Sequence, residues 1–272
     1  MSCKEYEGFR LSRTARGVEL EFVMPRELEG KFFARLYARG PLNDEALGDP
    51  ARVWAALSAE YGGRTLAAPH QVHGVNIIEA SEREALPSRS EADGIFIGAG
   101  CRALASLCFA DCTPVVIAGA GGEPWMMILH SGFKGTLLNI SAAALERFGG
   151  GRAGGKIWAW IGPRIGACCY SRRADDPVTR EALAKFLPEC AEEKDGFVFF
   201  DIGGEIRRQL SASGVPEENI FDFGGCTRCE NEVFYSYARA TKKKGIFYLR
   251  DAPQTAKICE NNYIGSKPRS EE

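Results

Sequence analysis

Residues 94–132 read GIFIGAGCRALASLCFADCTPVVIAGAGGEPWMMILHSG, the densest apolar stretch of the chain. Its short runs of Val, Ile, Leu and Met are separated by Gly and Pro, which is the punctuation of several strands. PVVIAG (114–119) and PWMMIL (124–129) flank the turn AGGE. If they fold as an antiparallel hairpin centred there, opposite residues have numbers summing to about 243. Cys112 then faces Ser131 and lies beside His130. A thiol and an imidazole meet at one end of a sheet, among the strand termini where sites are often built.

The flanking sequence supplies more strands and a handful of helices. GVELEFVMP alternates Val18, Leu20 and Phe22 with Glu19 and Glu21, a strand period, and KFFARLYARG reads as a second strand. Asp49-Pro50 is an N-cap followed by proline at the first helical position, so PARVWAALSAEY is a helix that stops at Gly62-Gly63. VNIIEA is a strand. TLLNISAAALERF is a helix starting near Thr136, with Leu137, Ile140, Ala144 and Leu145 on one face. GGGRAGG (149–155) is a loop and KIWAWIG a strand. Asp176-Pro177 starts a further helix that ends near Pro188. FVFFDIGGEIRRQLSASG is a strand and then a helix. Strict βαβ alternation is absent, and no repeat or linker interrupts the chain. The expectation is one mixed domain of the α+β class over residues 1–272, with a loosely held tail after about residue 259.

The bulk composition is that of a soluble globular chain: 45% apolar, 26% charged, formal net charge −2. That balance gives no electrostatic case for nucleic acid, and Lys242-Lys243-Lys244 before Gly245 reads as a solvated turn. No apolar run has the length of a membrane span, and the N-terminus has no apolar signal segment. Ten cysteines without a secretion signal point to a reducing cytoplasm and mostly free thiols.

The chain has three histidines, two of them in HQVHG (70–74) and the third in ILHSGFKGT. Taken singly, a histidine beside glycine is an ordinary loop residue and Cys112 an ordinary buried thiol. Taken together, His73, Cys112 and His130 are two imidazoles and a thiolate, a donor set for zinc with a fourth position open. Copper accepts the same donors. The long gap from His73 to Cys112 is not a zinc-finger spacing, so the fold must assemble the set. HSGFKGT also offers Lys134, Gly135 and Thr136 at a helix start, either an anion site or a simple capped turn with an exposed lysine. CTRC (226–229) is a redox pair, half a metal site or two buried thiols. Cys168-Cys169 read as packing residues, and Asp93 and Asp111 as structural hydrogen-bond acceptors.

QVHG (71–74), ADG (92–94), ADCTPVVI (110–117), HSGFKGT (130–136), IGPRIGACCY (161–170), CTRC and FYSYAR (234–239) occur in the order of one family. Over roughly residues 48–240 the chain resembles the laccase-like family named for multicopper polyphenol oxidase, whose members are regarded as zinc-dependent purine nucleoside phosphorylases. The resemblance implies packed mixed β-sheets flanked by helices, similar to cysteine hydrolases with a Cys–His pair. It also implies metal ligation by His73, Cys112 and His130, with His70 outside the triad. The implied substrates are phosphate and purine nucleosides such as adenosine, inosine and methylthioadenosine, with adenosine deamination as a companion activity. A copper polyphenol oxidase, a metal-free hydrolase using Cys112 and His130, and a non-catalytic nucleoside binder are the rival expectations. The chain departs from the pattern H-A-G-W-R-G at Phe133 and Lys134, and from C-C-Y-E-V at Ser171-Arg172. It carries Ala56-Leu57 where Asn-Arg is usual, and KKKGIF after SYAR.

Overall fold

The computed structural model describes residues 3–47, 49–62, 64–80, 89–149 and 156–239. Its centre is the expected hairpin, Thr113–Ala120 against Trp125–Ser131. The register is one residue away from the expected one. His130 pairs with Pro114 and Ser131 with Thr113, so Cys112 lies just beyond the last pair and does not face Ser131. The cause is the turn. Gly119 pairs with Trp125, which centres the connection on Gly122, and Gly121 takes a left-handed φ of 125° that glycine tolerates. A slip of one residue exchanges the faces on which every side chain lies, so this detail decides what packs where.

The hairpin sits inside a six-stranded sheet. Its order is Ile220–Asp222, Lys156–Ile161, Thr113–Ala120, Trp125–Ser131, Gly94–Ile97 and Ile77–Glu79. The middle pairings are antiparallel and the two outermost are parallel. On one face Val115, Ile117, Met127, Leu129 and Ile161 pack with Leu137, Ile140, Ala144, Ile206 and Leu210 of the helical layer. On the other, Val116, Ala118, Met126 and Trp160 pack with Phe9, Leu20, Phe22 and Leu36 of a four-stranded N-terminal sheet. A sheet buried on both faces requires strands that are apolar throughout, which is why PVVIAG and KIWAWI show no alternation. The architecture is the expected α+β class. A three-stranded sheet, Ser171–Arg173, Phe197–Phe200 and Ala191–Lys194, stands beside the helical layer.

Asp49 and Asp176 cap their helices as expected, accepting from the amides of Ala51 and of Val178 and Thr179. The first of these helices ends at Leu57, short of Gly62. The expected single helix from Thr136 is instead two short ones, Phe133–Leu137 and Ile140–Ala144, followed by a π turn at Leu145–Gly149. Asn139 breaks it: the residue takes φ 56°, and its side chain accepts from the Ala142 amide at 3.0 Å to cap the second piece. The N-terminal hairpin, Cys3–Tyr6 with Phe9–Thr14, was not expected from the sequence. Gly150–Gly155, Lys242-Lys243-Lys244 and the tail after residue 259 lie outside the described residues.

The register makes Gly119 indispensable. A Cβ there would come within 2.5 Å of the Trp125 indole, which is 1% exposed. Gly119→Ala is expected to lower unfolding stability by about 1–3 kcal/mol through overpacking. An unchanged urea midpoint would contradict the register.

Candidate metal centre

Three separate segments meet at the end of the central sheet. His130 is the next-to-last residue of its strand, Cys112 immediately precedes the neighbouring strand, and His73 arrives on the HQVHG turn. Their ligand atoms all lie within 4.8 Å of one another. Cys112 Sγ is 3.9 Å from His73 Nδ1, and the two imidazole rings are 4.8 Å apart. Gly132 makes the space: a Cβ there would sit 2.5 Å from Cys112 Sγ and 3.4 Å from His73 Nδ1.

Asp93 organises the group. Its carboxylate is fully buried and accepts the amides of Val72 at 3.2 Å, His73 at 2.9 Å and Gly74 at 2.6 Å. It also meets His130 Nδ1 at 2.8 Å. The three amides hold the turn that carries His73 in a left-handed conformation, φ 58°. The bond to Nδ1 orients the His130 ring and leaves Nε2 for the site, the usual way a carboxylate sets a metal-binding imidazole. On the other side Asp111, φ 79°, positions Cys112. Its carboxylate accepts Thr227 Oγ1 at 2.6 Å and the Ala238 amide at 2.7 Å.

The electrostatics follow from this crowding. Burial pushes the Cys112 thiol up, but the charge and hydrogen bonding of His130, helped by His73, outweigh it and hold Cys112 down at about 6. Burial pushes His130 down, but Cys112 and Asp93 reverse this and raise it to about 9. For Asp93, burial is again overcome, by His130 and the turn amides, so its carboxyl lies below the usual range. Near neutral pH the metal-free site is a thiolate beside an imidazolium. A metal ion would take the proton's place on His130, as ligands must be deprotonated to bind. Two imidazoles and a thiolate, with no fourth side chain in the group among the described residues, are the donor set of an open metal site.

His70 stands outside this group, bridged to Glu91 along the backbone. Lys134 is exposed on the helix Phe133–Leu137, which begins three residues before the expected start. Gly135 is buried, and a Cβ there would lie 3.3 Å from the His130 carbonyl oxygen. Thr136 is buried and committed: its amide donates to Gly132 O, its hydroxyl pairs with Ser131 and its carbonyl accepts from Gln209. The positions that depart from the family pattern meet here, with the Arg172 guanidinium 4.6 Å over the Phe133 ring and the Tyr170 ring tilted against it at 5.7 Å. Asp93 and Asp111 are the structural hydrogen-bond acceptors that the sequence suggests; their partners, the HQVHG amides with His130 and the Thr227 hydroxyl with the Ala238 amide, were not legible in it.

Fold and site together define an α+β protein with a His–Cys–His group at a sheet end that could hold a metal ion. The chain belongs to the family described as multi-copper polyphenol oxidoreductase laccase, which matches residues 46–249. It is 31% identical over 198 residues to the purine nucleoside phosphorylase YlmD of Geobacillus stearothermophilus, a match covering 62% of this chain and 65% of that protein, just under two thirds of its length. It is 26% identical over 257 residues to the adenosine deaminase RL5 of an unknown prokaryotic organism, covering 86% of this chain and 94% of that one. The crystal structure of the Geobacillus YlmD superposes with a TM-score of 0.66 at 26% identity, over 84% of this chain and 93% of that one.

The thiolate–imidazolium pair can be titrated chemically. After chelation, alkylation of Cys112, followed by peptide mass spectrometry, is expected to reach half its maximal rate at about pH 6. An isolated thiol does so at roughly 8.5. His130→Ala should move the midpoint up toward that value. A wild-type midpoint that already matches a free thiol would contradict the pair.

Proposed function

We propose that this protein is a zinc-dependent purine nucleoside phosphorylase, one domain acting in the cytoplasm. It cleaves adenosine- and inosine-type nucleosides, methylthioadenosine among them, with phosphate. The observation that carries this reading is the His73–Cys112–His130 set with its Asp93-fixed imidazole, in a chain 31% identical to a protein of that name. In the reaction the bond from C1′ to the base nitrogen breaks, a phosphate oxygen bonds to C1′, and the base leaves with a proton. His73, Cys112 and His130 would hold a zinc ion, which would supply a Lewis acid for developing negative charge.

The chain's own residues provide the rest. Asp93 holds the His130 ring by Nδ1, so Nε2 is the nitrogen turned to the site and binds once a metal ion displaces its proton. Lys134 draws in the phosphate with a single charge, and the backbone at Gly135 gives it close approach. Thr136, whose polar groups are already bonded, keeps that turn rigid. The donors also suit copper, but with three histidines in the whole chain there are too few ligands for the several coppers of oxygen reduction.

The likeness to the adenosine deaminase RL5, which spans 94% of that protein, favours deamination as a second reading of the same site. There the attacking group at the purine C6 is water, and phosphate has no part. Product analysis of adenosine and inosine incubations with and without phosphate separates the two. For the phosphorylase, Lys134→Ala is expected to raise the KM for phosphate about 10–100-fold, the worth of one charge-assisted hydrogen bond, with little change in the KM for nucleoside. Lys134→Arg should restore phosphate use, because its fork makes two parallel bonds. Ribose-1-phosphate formation indifferent to Lys134→Ala would remove Lys134 from the phosphate site. Inosine production from adenosine without any phosphorolysis would replace the first reading by the second.

A further inference from the structure

Two cysteine pairs that are far apart in sequence converge in space. Cys168 and Cys169 lie on the turn that follows Ile165, and Cys226 and Cys229 on the CTRC turn. The parallel bridge between Arg164 and Cys226 brings the two turns side by side. All four sulfurs lie within 4.8 Å of one another. Cys168 Sγ is 3.7 Å and Cys169 Sγ 3.6 Å from Cys229 Sγ. These are not disulfides, which need about 2.05 Å, and all four are free thiols. Four thiolates around one ion with metal–sulfur bonds of about 2.3 Å stand about 3.8 Å apart at the corners of a tetrahedron. An iron–sulfur cluster spreads its cysteines over several irons and would hold them farther apart.

The backbone around the group is arranged for thiolates. The Gly166 amide donates to Cys226 Sγ at 3.2 Å, and the amides of Arg228 and Cys229 are directed at the same sulfur. Gly166 is closely packed by the cysteines, since a Cβ there would lie 3.2 Å from Cys226 Cβ and 3.4 Å from Cys168 Sγ. Cys168 and Cys229 are exposed, so they are not there to fill a core.

We propose that Cys168, Cys169, Cys226 and Cys229 form a second metal site that binds one zinc ion through four thiolates. All four positions are filled by protein, so the site is structural and closed, unlike the centre at His73. Its place explains its use. Thr227, between the two CTRC cysteines, donates its hydroxyl to Asp111 at 2.6 Å and its amide to Arg164 O at 3.0 Å. The Ile165 amide in turn bonds Asp111 O at 2.9 Å. The ion would therefore clamp together the two turns that hold Asp111, and through it Cys112, in place. It would also anchor Tyr170, which directly follows Cys169 and packs against Phe133. This inference is independent of the phosphorylase reading. It also revises the sequence expectation that Cys168-Cys169 are packing residues.

The test is elemental analysis of the full chain purified under reducing conditions without added metal. About two zinc ions per chain are expected. Cys226→Ser/Cys229→Ser should lose one of them. Cys112→Ala should lose the other, and X-ray absorption of the zinc that remains should show four sulfurs at about 2.3 Å. If the double variant fails to fold, the Cys112→Ala arm decides alone, because it leaves the four cysteines untouched. It also separates failure of this site from failure of the His73 centre. Cys112→Ala without zinc, remaining zinc in a nitrogen and oxygen shell, or recovery of these cysteines as disulfides would overturn the proposal.

Discussion

The Asp93 carboxylate is the constraint on which the site depends. It is buried completely and meets four donors: three successive amides of the HQVHG turn and the His130 imidazole. A carboxylate taken out of water is tolerated only when it is paired and hydrogen-bonded, and removing a partner from such a pair typically costs about 3–5 kcal/mol. One side chain thereby fixes both histidines of the candidate centre, His73 through the backbone and His130 through its ring. The left-handed conformation of His73 is held by the same bonds.

Asp93 can reach both because of the sheet. Gly94–Ile97 pairs with Trp125–Ser131 on one side and Ile77–Glu79 on the other, so the residue just before it stands between the HQVHG turn and the end of the His130 strand. Further along the same sheet end, Asp111 does the equivalent work for Cys112, tied by Thr227 and Ala238. Complete burial strengthens the bonds of Asp93, whereas Asp111 is partly buried. Stability and site geometry are the same structure seen from the middle of the sheet and from its edge.

Much of this was legible in the residues. The glycine between PVVIAG and PWMMIL announces the hairpin, and the hairpin alone brings Cys112 to His130. The caps at Asp49 and Asp176 are visible because an Asp-Pro step has one common use. The register was missed by one residue because a glycine-rich turn can be centred on a residue or between two. The break at Asn139 was hidden because apolar spacing continues through it, while Asn satisfies a left-handed turn that no pattern of apolar residues records. The N-terminal hairpin was missed because Cys3–Tyr6 is exposed or half-buried along its length and shows little apolar alternation. The meeting of the Cys168 and Cys226 turns depends on a pairing between distant segments, which spacing along the chain does not encode. The acceptor role of Asp93 was legible, a carboxylate next to glycine at a strand start, but its partners were not, because the HQVHG turn and the end of the His130 strand reach it only through the sheet.

The central claim is that Asp93 sets the metal centre through both histidines. Its direct test is the zinc affinity of Asp93→Asn, measured by competition with a chelator on protein shown to be folded by circular dichroism. Asparagine keeps the size but gives up the charge and one acceptor oxygen. The account predicts a roughly 10–100-fold weaker affinity at the His73–Cys112–His130 centre, with zinc at the four cysteines unaffected. A folded Asp93→Asn protein that binds zinc there as tightly as the wild type would contradict it.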